Sequence, residues 1–375
     1  MNSIDTSKPV LVTGATGYVA GWIIRRLLEE GVRVHATVRD LNKQAGRAHL
    51  DELAAELPGT IRYFQANLLD QGAFHEAMQG CQVVFHTASP FTSNFEDPER
   101  DLVDPAVLGT KNVLGEATRV ASVTRVVVTS SCAAIFGDSQ DLLDAKGPRF
   151  TEADWNTTSS LDHQPYSYSK VLAERAAWEI AEGQEQFRLV TVNPSLVLGP
   201  SLNRRPTSES FSIMKQLLDG TMKAGAPDLR IGVVDVRDVA EQHLRAGFYP
   251  NASGRYICSA HDSGVLELAE SVRRNFGATF PIPSRTLPKW LLWLAGPIAD
   301  KRFTRKVISR NIGWPWSADS GKAIQELGMR YRPIDESTRD MVLQMVQAGL
   351  IDGTGLTEAQ RTLYVPPARP PQPSA

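Results

Sequence analysis

The chain has 375 residues, with 40 Lys and Arg against 42 Asp and Glu, a formal charge of -2. So even a balance gives no global field to hold nucleic acid or an anionic membrane. The length predicts two domains, or one large α/β domain with a satellite.

Cys81, Cys132 and Cys258 are odd in number, far apart and without CxxC spacing. That argues against a disulfide framework and a zinc site, and the histidines form no HExxH pair, so no metal is expected. Unpaired thiols and a polar Met1–Lys8, which is no signal peptide, predict a cytoplasmic protein.

The elements alternate along the chain. Strands are predicted at Pro9–Thr13, Val32–Val38, Ile61–Gln65, Gln82–His86, Arg125–Thr129 and Arg188–Val192, from β-branched and leucine runs. Helices are predicted at Tyr18–Glu30, closed by Gly31, and at 44–57, 72–79, 99–121 and 165–182. This rhythm predicts an α/β fold with a parallel sheet covered on both faces. After Pro200 it weakens. Residues 201–228 read as loop and helix, Ile231–Val236 and Arg255–Ser259 as strands, and Val239–Phe248 as helix. His261–Tyr364 reads as mostly helical. The predicted division is a first domain over 8–200, with 229–260 returning to it. A smaller lobe then comprises 201–228 and 261–365. Pro366–Ala375 is proline-rich and predicted to be disordered.

Leu287–Ala299 is the longest apolar stretch, yet Lys289 and prolines interrupt it, short of the roughly 20 residues of a bilayer span. A core or substrate-lid helix is the simplest reading; an interface with another subunit or a membrane surface is the other. The aromatics Phe211, Trp290, Trp293, Phe303, Trp314 and Trp316 fit an apolar or aromatic substrate and a plain core equally well.

The turn after the first strand reads Gly14-x-x-Gly17-x-x-Ala20 and opens a helix. Gly14 permits a sharp turn, Gly17 a close approach to a pyrophosphate, and Ala20 close helix–strand packing. Gly14, Thr16, Gly17, Tyr18 and Val19 are therefore candidate dinucleotide ligands, with the helix N-terminus facing the phosphates. The second strand ends Val38-Arg39-Asp40, with Lys43 beyond. Arg39 and Lys43 suit a 2′-phosphate and favour NADP(H); Asp40 facing the ribose would favour NAD. Thr87, Ala88 and Ser89 follow the fourth strand as small residues able to line the cofactor, and Thr129 ends the fifth.

Tyr166-Ser-Tyr-Ser-Lys170 places a phenol and an ammonium one turn apart on one helix face. Lys170 is expected to lower the Tyr166 pKa from about 10 and so make it a proton donor near neutrality. Ser131, with Ser130 as the alternate, ends the fifth strand and can hydrogen-bond a substrate carbonyl. Asn193-Pro-Ser-Leu-Val-Leu-Gly-Pro200 supplies a turn where Pro194, Ser195 and Val197 would flank a nicotinamide.

Together, TGATGYVAG, ATVRD, VFHTASP, VVVTSSCAAIFG, YSYSKVLAERAAW, VNPSLVLGP and VDVRDVAEQH resemble the extended short-chain dehydrogenase/reductase superfamily, in its dihydroflavonol 4-reductase-like branch. That branch includes microbial aldehyde and ketone reductases. The resemblance is strong over residues 8–260 and loose over 261–350. It implies a Rossmann doubly wound parallel sheet that binds the cofactor, with a smaller, mostly helical C-terminal substrate lobe. It also implies an NADP-dependent oxidoreductase, a monomer or homodimer, reducing an aldehyde or ketone with Ser131, Tyr166 and Lys170 as the triad. Asn67-Leu68 replaces the Asp-Leu usual at the adenine edge. His163–Lys170 departs from the NWYCYGK of cinnamoyl-CoA reductases, against a CoA-thioester substrate. Arg204 and Arg205 read as a solvated loop. An NAD-dependent hydroxysteroid- or sugar-type dehydrogenase or epimerase is the rival enzyme. A non-catalytic NADP sensor is the rival outside enzymes, and such proteins typically lose the Tyr/Lys pair.

Overall fold

In a computed structural model describing residues 4–89, 95–206 and 208–361, the β-branched runs become strands, buried except at the edge strand Thr60–Gln65, where only Phe64 is buried. The proline-rich stretch 366–375, the end of segment 261–365 and Pro90 lie outside the described residues. The first half contains β1 (Val10–Thr13), α1 (Tyr18–Glu29), β2 (Arg33–Val38), α2 (Ala48–Glu56), β3 (Thr60–Gln65), α3 (His75–Met78) and β4 (Val83–His86). It continues through α4 (Asp104–Ala117), β5 (Arg125–Thr129), α5 (Pro165–Glu182) and β6 (Arg188–Pro194). Next come β7 (Leu196–Leu198), α6 (Glu209–Leu218), β8 (Arg230–Asp235), α7 (Val236–Phe248), β9 (Gly254–Cys258) and β10 (His261–Gly264). The helices α8 (Val265–Phe276), α9 (Lys289–Ala299), α10 (Arg305–Asn311), α11 (Gly321–Leu327), α12 (Ile334–Gln347) and α13 (Glu358–Arg361) close the chain.

The large sheet has the order β3-β2-β1-β4-β5-β6-β9 and every pairing is parallel. Successive strands run outward from β1 in opposite directions, so the switch point lies between β1 and β4, where such folds open a ligand crevice at the strands' carboxyl ends. One face is packed by α1, α2 and α7: Ile23, Ile24, Leu27, Leu28, Leu50, Val239 and Leu244 are buried there. The other carries Val113, Leu114 and Ala117 of α4 and Ala177 of α5, against Val84, Val126 and Leu189. This is the predicted doubly wound Rossmann-like fold.

A second sheet, β10-β8-β7, is covered by α6, α8 and α12. Within 229–260, β9 joins the large sheet while β8 belongs to the small one. The turn predicted at 193–200 is instead a change of sheet. Pro194 still pairs with Cys258 in the large sheet, and Leu196 restarts opposite Val233 in the small one. Arg237 locks the lobes' border. Fully enclosed, it binds Asp235 at 2.7 Å and Asp340 of α12 at 2.7 Å.

Several predicted helices are shorter. The 44–57 segment splits into a 3-10 turn at Gln44–Gly46 and α2, and 72–79 shrinks to α3. The 99–121 helix begins as a π-turn at Glu99–Val103 and ends at Ala117. The core reading of the tryptophan-rich segment fails for α9: only Gly296 is buried, and Trp290 is 65% exposed. Of the aromatics that fit a substrate and a plain core equally well, Trp316 and Phe211 are core residues.

Candidate functional site

The crevice floor is built from Thr13 at the end of β1. Its Oγ1 accepts the Thr87 and Ala88 N–H groups, each at 3.1 Å, and meets His86 Nδ1 at 3.0 Å. These bonds fasten β1 to the 87–89 turn side by side. Gly14 leaves β1 at φ +64°, and a Cβ there would lie 2.9 Å from the Ala88 Cα, so the turn admits no larger residue. Gly17 then starts α1 with no side-chain cap. An exposed helix N-terminus and a glycine cradle make the donor set a dinucleotide pyrophosphate calls for. Thr16 and Gly17 are exposed and Val19 is partly buried. The Tyr18 side chain turns away from this turn: its hydroxyl donates to Gly199 O at 2.6 Å and its ring meets Phe211 edge-on.

Arg39 and Lys43 are exposed beyond β2, and neither forms an ion pair among the described residues. Asp40 is committed to its own turn, accepting the Asn42 N–H at 2.9 Å. Arg47 holds this loop, with its guanidinium 4.4 Å over the Tyr63 ring and a bond to Leu41 O. Asn67 is exposed and closes a turn with Leu69 and Asp70, while the Leu68 carbonyl accepts from Asn112 at 2.8 Å. Ser195 donates its N–H to Cys258 O; Pro194 is buried and Val197 partly so. Arg204 and Arg205 are exposed loop residues.

The triad candidates converge. Ser131 follows β5 and hydrogen-bonds the Tyr166 phenol. Ser130 points the other way and donates to the Glu174 carboxylate in the interior. Thr129 is bound to His243 at 2.7 Å. Lys170 lies one turn beyond Tyr166 on α5, with Nζ 5.6 Å from the ring centre and donating to Ser89 Oγ at 2.9 Å. A cleft lined by His86, Ala88, Ser89, Thr129 and Lys170 opens at this point.

Electrostatics correct one expectation. Lys170 does not bring the Tyr166 pKa down; burial pushes it up to about 12, and the Ser131 bond alone pulls the other way. The ammonium is turned to Ser89 and is itself desolvated. Burial drops Lys170 to about 8, with the Glu174 charge opposing. His86 is held neutral, pushed to about 3 by burial and the nearby Lys170. Burial also raises the Cys132 thiol beside Ser131, and it donates to Asn193 O, an inert arrangement.

Glu174 escaped the sequence reading. Wholly buried, it accepts from Ser130, Asn193 (2.7 Å), Thr191 (3.2 Å) and Arg255 (2.7 Å), and Asn193 also donates to Ser131 O at 3.1 Å. It ties β5, β6 and β9 to the helix carrying Tyr166. Its signal was the spacing 166, 170, 174, a single helix face. The second unread feature is Gln164 at φ 54°, a left-handed residue just before the helix, held by Asp138 at 2.6 Å. Asp138 in turn binds His163 at 2.8 Å, Asn311 at 2.7 Å and Arg310. Tyr166 is thereby anchored to α10. Among the described residues no cluster of His, Cys, Asp or Glu could hold a metal.

A sequence model of the NAD dependent epimerase/dehydratase family matches residues 10–256. A cinnamoyl-CoA reductase of Medicago truncatula is 35% identical over 91% of this chain and 97% of its own length. An anthocyanidin reductase of Arabidopsis thaliana is 38% identical over 72% of this chain and 81% of its own. Among solved structures, Gre2 of Candida albicans in complex with NADPH superposes with a TM-score of 0.71 at 29% identity, over 91% of this chain and 99% of that one.

Proposed function

The chain belongs to the NAD dependent epimerase/dehydratase family, and from that premise we propose that it is an NADPH-dependent reductase of an aldehyde or ketone. The observation that carries the reading is the Ser131–Tyr166 hydrogen bond, with Lys170 one turn away, beside the Gly14 turn at the switch point.

NADPH, when bound, supplies a hydride. The backbone of Gly14, Thr16, Gly17, Tyr18 and Val19 would hold its pyrophosphate. Arg39 and Lys43 would hold the 2′-phosphate, and Asp40 accepts the Asn42 N–H of its own turn. Asn67 and Leu68 would border the adenine, while Thr87, Ala88, Ser89, Thr129, Pro194, Ser195 and Val197 would flank the nicotinamide end. Lys170 would reach the ribose.

The chemistry falls to two hydroxyls. A carbonyl oxygen between Ser131 and Tyr166 accepts from both, so charge developing on it meets two donors already in place. Tyr166 Oη gives its proton to that oxygen, and the Ser131 hydrogen bond favours the phenolate left behind, while Lys170, turned to Ser89, stays free to hold the ribose. Alcohol oxidation uses the same groups in reverse. The departure of His163–Lys170 from the thioester-reductase pattern favours a free aldehyde or ketone, with a substrate of apolar or aromatic character as the class to test first. Residues 8–200 with β9 would form the cofactor domain. Residues 201–228 and 261–361 would shape the substrate pocket.

The test is absorbance loss of NADPH and NADH against aldehydes, aryl ketones, β-ketoesters and flavanonols. Consumption of NADPH in preference to NADH is expected with at least one class. Tight NAD retention with no net cofactor turnover would instead mark an epimerase.

A further inference from the structure

The helix α9 is packed inside out. Trp290, Trp293, Leu294 and Ile298 are spaced i, i+3, i+4 and i+8, one continuous stripe. In a globular helix that stripe faces the core. Here these side chains are 65%, 39%, 53% and 90% exposed. The side facing the protein is marked by Gly296: a Cβ there would lie 2.9 Å from Ile308 and 3.5 Å from Phe303. So α9 rests its glycine side on α10 and turns its large residues outward.

The charge around this stripe is one-sided. From 285 to 310 the chain carries Arg285, Lys289, Lys301, Arg302, Arg305, Lys306 and Arg310 against one acid, Asp300. Arg302 is paired with Asp300 and Glu209, and Arg310 with Asp138 and Asp141. The other five form no ion pair among the described residues. Two adjoin the apolar stripe directly. Arg305 lies 4.4 Å over the Trp293 ring, and Lys289 sits one residue before Trp290, its Nζ donating to Ser309 and Ile312 carbonyls. The near-neutral total charge of the chain conceals this local field.

We propose that α9 and its flanking cations form a docking face for an anionic phospholipid surface. Two exposed tryptophans with leucine and isoleucine match the headgroup–acyl boundary, where an amphipathic helix lies in the plane and buries its apolar face. Unpaired Lys and Arg beside that face match anionic headgroups. Eleven residues, with Pro297 inside, lie on a bilayer rather than cross it, and no described helix is long and apolar enough to span one. A second copy of the chain fits less well, because two such faces would bring like charges together at the apolar contact.

The experiment uses the full chain with vesicles of pure phosphatidylcholine, and of phosphatidylcholine containing about one-third phosphatidylglycerol. Expected is co-sedimentation with the anionic vesicles about tenfold above the neutral ones, weakened by salt, with a blue shift of tryptophan emission. W290S/L294S/I298S loses vesicle binding and the shift. K301E/K306E loses the preference for anionic vesicles. Both variants should keep the wild-type circular dichroism spectrum, which separates lost docking from lost folding. Equal sedimentation with neutral and anionic vesicles, or none with either, overturns the proposal. So does a concentration-dependent dimer in light scattering that W290S/L294S/I298S abolishes while lipid binding is absent.

Discussion

Ser130 and Ser131 are neighbours, yet their surroundings assign them opposite work. Ser130 is spent on Glu174 in the interior, whereas Ser131 meets the Tyr166 phenol. S131A should lower kcat by about 10²- to 10³-fold, the scale of one lost oxyanion donor, with little change in NADPH affinity. S130A should act on thermal stability first, because it leaves Glu174 short of a donor. Steady-state kinetics beside melting curves separate the two. Lys170 makes a second residue-scale prediction. With its proton lost near about 8, reduction should fall as pH rises through that value. The Glu174 charge supports the ammonium, so E174Q should move the alkaline limb of the kcat profile to lower pH. An unmoved limb would detach Glu174 from Lys170. The triad was legible because tyrosine and lysine at i and i+4 are a local pattern. The Ser130 commitment was not, because its partner lies 44 residues away.

Among the elements, β1, β4, β5 and β6 were legible because burial on both faces leaves no alternation to confuse, whereas β3, at the sheet edge and mostly exposed or half-buried, was legible from its β-branched and aromatic content. Strand β10 was not: His-Asp-Ser-Gly carries no strand preference, and only its antiparallel pairing with β8 makes it one. The inverted face of α9 was also hidden, since periodicity reports that a stripe exists but not which way it points. The border between the lobes rests on one buried cluster. Arg237 binds Asp235 and Asp340 together, and Asp340 also pairs with Arg339, so R237L would leave the buried Asp235 carboxylate without an ion-pair partner among the described residues. It should cost about 3–5 kcal/mol, read by urea unfolding. A loss under about 1 kcal/mol, the scale of an exposed pair, would mean water reaches the cluster.

For the whole molecule, acid is the predicted weakness. Burial holds His86 near about 3 and His243 near about 4, both below the ordinary histidine value of 6.5. Between those values the unfolded chain takes up protons that the folded one refuses. The contribution of the two histidines is therefore fully present above about 6.5 and declines as pH falls toward 4, outweighing the opposite effect of buried Asp238, which desolvation raises to about 6. Urea midpoints at pH 7.5 and pH 5 should differ in that direction, and equal midpoints would contradict it. The fold places both histidines beneath the same crevice, next to Thr13 and Thr129, where the cofactor and the proton donor are brought together. The most direct test of that convergence is Y166F, which removes the transferable proton and little else. NADPH oxidation with an accepted carbonyl substrate should fall by at least about 10²-fold, while NADPH affinity from fluorescence titration stays within a few-fold of wild type. Wild-type turnover in Y166F would contradict the account.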